Sequence, residues 1–161
     1  MLDIFNNRME VKFARIHKNA IIPEFKAYGE GADLYACNDV IIPAGETGLI
    51  HLGLKSEFEP GHIALIYVRS NLVAKEELDP VNEVGAIDSN YRDEWMIALH
   101  NHSKENKTIS TGKRIGQVMF HNLYMPGIVK VVEQEWSVND VIKIDLDQQD
   151  EYKMKVKIKR L

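Results

Sequence analysis

The hydrophobic pattern of the chain is mainly that of short β-strands. Apolar and polar residues alternate over Met9–Ile16 and Ala32–Cys37, with the period of a half-buried strand. His62–Val68 is almost continuously apolar, which predicts a strand that is buried on both faces. Many short strands with Gly/Pro turns predict an all-β barrel or sandwich. The further strand-like runs are Val40–Glu46, Gly48–Lys55, Met96–Leu99, Lys107–Ser110, Gln117–Tyr124 and Val129–Glu133.

One short segment departs from this pattern and predicts a helix. Ser70 can serve as its N-cap, about two helical turns follow, and Asp79-Pro80 ends it. It is the one segment whose pattern indicates a helix, so the predicted fold is a β-structure with a single short helix.

The stretch Asn82–Trp95 carries two clusters of turn-forming residues, one around Gly85 and one at Ser89-Asn90. The strand-length apolar run Met96–Leu99 follows directly. A strand, a turn and a returning strand are the pattern of a β-hairpin. We therefore predict that this stretch and the run after it form a hairpin.

Asp88 lies where the predicted hairpin passes from strand to turn. Tyr91 follows three residues later, and Arg92 is next to it. A carboxylate on rigid backbone, beside an aromatic ring and a cation, can orient a water and a sugar together. Turn chemistry alone is the alternative, since Asp and Asn bond their own backbone in turns. On these local residues, the turn interpretation is favoured.

Composition places the chain among ordinary globular proteins. It has 161 residues, and we expect one domain over residues 1–161, with residues 1–8 as an N-terminal arm. The net charge of -4 argues against a nucleic-acid or membrane partner. No apolar run approaches the length of a membrane span, and the N-terminus lacks the pattern of a signal peptide. The one cysteine, Cys37, fits a reducing compartment, so a cytoplasmic location is predicted.

Four separated stretches resemble the motifs of the trimeric dUTPase family, enzymes that hydrolyse dUTP to dUMP and pyrophosphate. The third stretch is the most specific of the four, and all four occur in the order that the family has. In chain order the stretches are Gly31–Ala36, Arg69–Leu72, Asn82–Glu94 and Gly112–Gln117.

The resemblance implies a jelly-roll β-barrel, three copies of which form a homotrimer with active sites at the subunit interfaces. It also implies that Asp88 is catalytic: it would bind the deoxyribose and orient or deprotonate the water that attacks the α-phosphorus of dUTP. Tyr91 would pack against the sugar and leave no room for a 2′-hydroxyl. The other substrate-binding residues that the resemblance implies are Arg69, Ser70, Asn71, Asn82, Gly85, Ile87 and Gln117.

The same resemblance implies which residues bind the base, the phosphates and a metal. The backbone from Asn82 onward would bind the uracil edge, and Gly85 would let the chain approach it closely. Arg69 and Ser70 would bind phosphate at the start of the helix. Asp33 would hold waters of a Mg2+ ion coordinated by the triphosphate, since Mg2+ rarely takes an all-protein cage.

The C-terminus departs from the family. The usual fifth motif is a Gly-rich tail whose Phe closes over the uracil, but no Gly follows Gly127 and no Phe follows Phe120. Residues 144–161 instead include apolar residues that alternate with lysines, the pattern of an edge strand. If another aromatic residue replaces the lid, Tyr152 and Trp136 are the candidates.

Two further functions stay open at this point. A protein of this fold without the usual lid could bind nucleotide, or regulate a partner, with little catalysis. The related dCTP deaminase needs an extra acid in the third motif, and Val84-Gly85-Ala86 offers none, so it ranks last. The unusual tail and compact size are compatible with a phage or viral origin.

Other residues with reactive side chains are predicted to be structural. His100 and His102 share a strand face but have no third ligand at usable spacing, so no zinc site is expected. His51 is expected on a strand surface and Cys37 in the core. Arg114, in the fourth motif, is left between ligand contact and pairing with a buried acid.

Overall fold

The computed structural model describes residues 9–26 and 31–124, together with two short strands further on. The chain divides into two compact units, Met1–Leu123 and Tyr124–Leu161. In the second unit, β12 (Ile142–Lys143) pairs antiparallel with β13 (Lys157–Ile158). The elements of the first unit are β1 Val11–Arg15, β2 Ala32–Tyr35, β3 Val40–Ile42, β4 Thr47–His51, β5 Leu54–Phe58, β6 His62–Val68, α1 Ser70–Glu76, β7 Leu78–Pro80, β8 Gly85–Asp88, β9 Met96–Asn101, β10 Lys107–Ile109 and β11 Arg114–Asn122.

The largest sheet has the strand order β2-β11-β6-β8, and every pair in it is antiparallel. Burial alternates along its strands, as expected for a sheet with one face on the core. In β6, Ala64 and Ile66 are buried, whereas Leu65 and Tyr67 are half-buried. The prediction that His62–Val68 is buried on both faces is therefore wrong.

A second sheet, β4-β9-β7, and the two-stranded pairs β1-β5 and β3-β10 complete the first unit. Buried residues of both larger sheets belong to one hydrophobic cluster, which places the core between their inner faces. Trp95 is completely buried in it, and its ring meets the edge of Phe13 at a centroid distance of 5.4 Å. Short alternating strands with one short helix confirm the all-β prediction.

The prediction of a single strand over Gly48–Lys55 is wrong, because β4 ends at His51 and a separate strand, β5, begins at Leu54. We call residues 52–53 the β4–β5 break. Gly53 has φ +66, and a Cβ at this position would lie only 2.6 Å from the Cβ of His17. Its left-handed backbone, which glycine adopts without strain, redirects the chain between two strands with different partners. β4 pairs with β9, whereas β5 pairs with β1.

The helix forms where expected, but its ends differ from the prediction. Arg69, with extended backbone, is the N-cap residue, and no side chain caps the helix, so Ser70 is its first residue and not its cap. The helix ends before Glu77, which adopts a left-handed conformation and donates its N–H to the carbonyl of Leu72. Asp79-Pro80, predicted to end the helix, belongs to β7 instead.

The predicted hairpin across Asn82–Leu99 is wrong. β8 pairs with β6 in the large sheet, whereas β9 pairs with β4 and β7 in the other sheet. The segment between β8 and β9 therefore crosses from one sheet to the other. This crossing segment contains Tyr91 and begins directly after Asp88.

Several predictions fall on residues that the structure does not describe. These are the arm at residues 1–8, the strand at 129–133, and the proposed lid residues Trp136 and Tyr152. Of the tail at 144–161, only β13 is described. The assignment of residues 1–161 to one domain stays a prediction. Within the described residues, the one helix is too short to cross a bilayer.

Candidate active site

Asp33, on β2, is held between two arginines. Its Oδ2 atom lies 2.8 Å from Nη1 of Arg114, and its Oδ1 atom lies 3.5 Å from Nη1 of Arg69. The hydrogen bond to Asp33 raises the pKa of the Arg114 guanidinium above its ordinary value. Arg114 thus pairs with a half-buried acid, the second of the two roles left open for it.

The sheet brings Gln117 to the same place. Gln117 lies on β11, directly opposite Asp33 of β2 on one side and Tyr67 of β6 on the other. Residues that face each other across antiparallel strands point to the same side of the sheet. All three are half-buried and share the outer face.

The start of the helix extends this region. The N–H of Arg69 donates to the carbonyl of Ile115 at 3.1 Å, which fixes the end of β6 against β11. Ser70 and Asn71 follow in the first helical turn, and both are exposed. We call Asp33, Arg69, Ser70, Asn71, Arg114 and Gln117 the arginine patch.

A narrow crevice opens at the other side of the large sheet, where Asn82 and Gly85 lie. Gly85 comes close to β6: a Cβ there would be 3.2 Å from the Cβ of Ile66. The turn before it is tight, since Glu83 has φ 54 and the N–H of Val84 donates to the carbonyl of Asn82. The crevice lies between the two sheets and is lined by Ile66, Val68, Pro80, Asn82, Gly85, Met96 and Ile97.

Asp88 lies at the end of β8, opposite Ile63, with an exposed side chain. Among the residues that the structure describes, none donates a hydrogen bond to its carboxylate. Its backbone, in contrast, is fixed, because the N–H of Tyr91 donates to the Asp88 carbonyl at 3.0 Å. Ile87, the residue before it, is buried in the core. Within the described residues, the Asp88 carboxylate is thus unpaired, while hydrogen bonding and burial fix the backbone that carries it.

Residues 88–95, which we call the Asp88 loop, are braced from within. Arg92 donates through Nη1 to the carbonyls of Ser89, at 2.7 Å, and Tyr91, at 3.1 Å. The Tyr91 hydroxyl donates to the carbonyl of Glu94 at 3.2 Å, and its half-buried ring packs against the core. Arg92, the cation four residues after Asp88, therefore bonds the loop backbone and does not pair with the acid.

Glu94, whose role sequence reasoning missed, ties the end of the loop to the β4–β5 break. Its Oε2 atom lies 2.8 Å from Nδ1 of His51, and its Oε1 accepts the N–H of Gly53 at 2.9 Å. His51 lies at the end of β4, partly exposed as expected, but with this carboxylate as its partner. Because 43 positions separate the two residues, no local spacing could have revealed the pair.

The arginine patch and the Asp88 loop are not adjacent within one chain. Asp33 and Asp88 are three strand steps apart across the large sheet, and their positions differ by four residues along β6. With the usual strand spacing and rise, their Cα atoms are on the order of 20 Å apart. The structure therefore groups the predicted site residues into two sets and does not unite them.

Comparison of the sequence with known proteins finds one matching family. The family model described as dUTPase matches residues 18–140. A deoxyuridine 5'-triphosphate nucleotidohydrolase of Helicobacter hepaticus is 34% identical over 131 residues, 81% of this chain and 83% of the relative. The enzyme of the same name from a Picosynechococcus species is 38% identical over 112 residues, 69% of this chain and 79% of the relative.

Solved structures give the same fold. A mutant dUTPase of phage phi11 of S. aureus superposes with a TM-score of 0.70 at 20% identity, covering 80% of this chain and 99% of that one. The dUTPase of Streptococcus mutans gives a TM-score of 0.64 at 22% identity, covering 71% of this chain and 96% of that one. These likenesses confirm the predicted jelly-roll fold.

Proposed function

Because this chain belongs to the dUTPase family, we propose that it hydrolyses dUTP to dUMP and pyrophosphate. The family match extends over residues 18–140 and includes both the arginine patch and the Asp88 loop. The observation that carries the proposal is the state of Asp88: an exposed carboxylate without a donor among the described residues, on a backbone held by Tyr91. Such a group can accept a proton from water without first breaking a protein contact.

We propose that uracil lies at the mouth of the crevice between the two sheets, whose own volume of about 10 Å³ has room for only about one water. Its walls are mostly apolar, and Asn82 and Gly85 bring backbone and amide groups to its edge. The close approach of Gly85 to Ile66 leaves little spare space there. Backbone groups at this mouth would bind the edge of a flat pyrimidine, and the lack of space behind them would resist the added methyl group of thymine.

Asp88 and Tyr91 would act on the sugar and the attacking water. The water oxygen forms a bond to the α-phosphorus while the bond from that phosphorus to the bridging oxygen breaks, and pyrophosphate leaves. Asp88 orients this water and takes its proton. The Tyr91 ring, fixed at both ends, would lie against the deoxyribose, where a 2′-hydroxyl would clash.

The arginine patch would bind the phosphates. Arg69 is the principal cation, with Ser70, Asn71 and Gln117 as neutral donors, and Asp33 holds the Arg69 guanidinium in place. Fixed positive charge of this kind stabilises the charge that develops during phosphoryl transfer. Arg114, which makes the shorter contact to Asp33, would support the patch without touching substrate.

The described residues fit magnesium as an ion carried by the substrate. In the described part of the chain, no group of three or more His, Cys, Asp or Glu side chains could hold a metal. Asp33 contacts two arginines, but a carboxylate has about four acceptor positions, so it can still accept hydrogen bonds from metal-bound waters. The solved phage phi11 dUTPase coordinates a structural Mg(II) ion. Bound with the triphosphate, Mg2+ would neutralise phosphate charge.

The separation within one chain supports sites shared between copies, as in the homotrimer that the family resemblance implies. A nucleoside triphosphate cannot bridge two regions on the order of 20 Å apart in the same chain while its α-phosphorus lies at Asp88. A neighbouring copy can bring its arginine patch to the Asp88 loop of the first, and closed rotational symmetry repeats this contact at every site.

Pyrophosphate release from dUTP in the presence of Mg2+ tests the proposed function, with dCTP, dTTP and UTP measured in parallel. We expect selective turnover of dUTP that is lost in Asp88→Asn. The matched control is Asp93→Asn, which removes an exposed acid from the same loop and should leave turnover unchanged. Binding of dUTP without turnover would instead favour a nucleotide-binding regulator, and deamination of dCTP would overturn the proposal.

A further inference from the structure

The Tyr91 ring is fixed at two points by the Asp88 loop. Its backbone N–H donates to the Asp88 carbonyl at 3.0 Å, and its hydroxyl donates to the Glu94 carbonyl at 3.2 Å. The ring cannot tilt without losing the second bond. Its orientation therefore depends on where the Glu94 backbone lies.

The Glu94 backbone is in turn held by the next residue, Trp95. The Trp95 N–H donates to the carbonyl of Leu54 at 2.8 Å, and its carbonyl accepts the N–H of Leu52 at 3.1 Å. Its indole is completely buried in the core. This end of the loop is thus fastened to the β4–β5 break by backbone bonds on both sides of Gly53.

The Glu94 side chain adds a second attachment to the same break. Its two oxygens contact His51, at 2.8 Å, and the Gly53 N–H, at 2.9 Å. Gly53 itself has little room to move, because its carbonyl accepts the Ile16 N–H at 2.9 Å and an added Cβ would lie only 2.6 Å from the Cβ of His17. Charge-assisted bonds to fixed partners are stronger than those between neutral groups.

We infer that Glu94 is a positioning residue that sets the discrimination between deoxyribose and ribose. His51 and Gly53 hold its side chain. Its carbonyl therefore stays within hydrogen-bond distance of the Tyr91 hydroxyl, and the Tyr91 ring stays against the sugar. Without this attachment only the backbone bonds of Trp95 hold the Glu94 carbonyl. The Tyr91 ring then gains some freedom to tilt, and a 2′-hydroxyl finds room. The inference rests on the proposed function, because it assigns a specificity determinant to the same site.

The ratio of kcat/KM for dUTP to that for UTP tests the inference. Glu94→Ala should lower this ratio about tenfold, within the range that a single contact contributes to specificity. Glu94→Gln keeps an acceptor for Gly53 and should retain most of the ratio. A second variant, His51→Gln, removes one contact without altering the loop and should give a smaller fall in the same direction.

His102→Gln is the matched control. It disrupts a second histidine–carboxylate contact of the described residues, in which Nε2 of His102 lies 3.1 Å from Asp79, and it should leave the ratio unchanged. Burial is the main cause that raises the pKa of the Cys37 thiol, and the negative charge of Glu94 raises it further. A lowered Cys37 pKa in Glu94→Gln would therefore report the loss of this charge in a folded protein.

A ratio that stays within about twofold of wild type in both Glu94→Ala and His51→Gln would overturn the inference. Absence of dUTP turnover in the wild type would count against the proposed function instead. In that case the ratio of the dissociation constants of dUTP and UTP, measured in the same variants, tests the positioning role of Glu94. A binding ratio that is unchanged in both variants would then overturn that role.

Discussion

The arginine patch and the Asp88 loop each contain an acid on the large sheet, Asp33 on β2 and Asp88 on β8, but the two regions hold these acids in opposite ways. In the patch, the Asp33 carboxylate contacts two guanidinium groups, so side chain fixes side chain. In the loop, the Asp88 carboxylate has no donor among the described residues, and the rigidity comes from hydrogen bonds that other groups make to the backbone around it.

This difference matches the two tasks that we assign to these regions. Binding phosphates requires cations whose positions are set before the ligand arrives, and a carboxylate between two arginines provides this. Activating water requires a carboxylate with free lone pairs on an immobile backbone. In the patch, an acid without contacts to the arginines would not fix their positions. In the loop, an acid paired with a cation would be a weak base.

The largest effect is expected from neutralising the free acid. Asp88→Asn should reduce kcat by about a hundredfold to ten-thousandfold, the usual contribution of a general base. Binding of dUTP should change much less, because the loop backbone does not depend on the carboxylate. Single-turnover kinetics and equilibrium binding separate the two effects. A large loss of affinity with unchanged chemistry would assign Asp88 to binding alone.

A smaller loss is expected from the patch. Arg69→Ala removes a charged contact to phosphate and should lower kcat/KM for dUTP about tenfold to a hundredfold. Arg15→Ala, on the exposed face of β1, is the control for loss of one positive charge elsewhere on the surface. Steady-state kinetics with both variants make the measurement, and equal losses would mean that only net charge matters.

The anchoring of the Asp88 loop can be weakened through Gly53, with an effect on stability. Gly53→Ala combines a left-handed φ with a clash, so we expect a loss of about 2–5 kcal/mol in the free energy of unfolding. Gly61→Ala has a similar φ of 84 but no atom within 4 Å of the new Cβ, and should cost about 1–2 kcal/mol. Urea denaturation of the two variants compares them. Equal losses would show that the packing around Gly53 adds nothing.

The smallest effect is expected at Asp39, outside both regions. The backbone and side-chain hydrogen bonds from Thr111 lower the pKa of Asp39 below its ordinary value of 3.8. Its stabilising contribution is therefore present above that value and is lost as the pH falls through the folded-state pKa. Wild type should be slightly more stable than Asp39→Asn at pH 7, and the difference should vanish in strong acid. A difference that persists there would mean that the charge is not its source.

Much of the fold could be predicted from the sequence, because burial on one face of a sheet imposes a period of two on each strand. The errors concern which strands pair with each other and where a strand ends. Met96–Leu99 reads as the return strand of a hairpin, yet β9 joins the sheet of β4 and β7, a choice made by long-range pairing. Gly53 reads as an ordinary strand residue because nothing local reveals its φ.

The candidate site divides along the same line. The residues of the Asp88 loop are close in sequence, so motif resemblance finds Asp88 and Tyr91 together. The contacts of Asp33 with Arg69 and Arg114 depend on three strands meeting, and sequence reasoning left Arg114 between two roles. Side chains brought together by topology alone carry no local signature.

Mixing two impaired variants shows whether the arginine patch of one copy serves the Asp88 loop of another. Asp88→Asn and Arg69→Ala chains would be unfolded together in equal amounts, refolded and assayed for dUTP hydrolysis beside each variant refolded alone. With sites shared between two copies in a closed oligomer, about a quarter of the sites in the mixture would combine an intact Asp88 with an intact Arg69. We therefore predict recovery of about a quarter of wild-type activity. Activity no higher than the mean of the two variants refolded alone would contradict shared sites, since both regions would then act within a single chain.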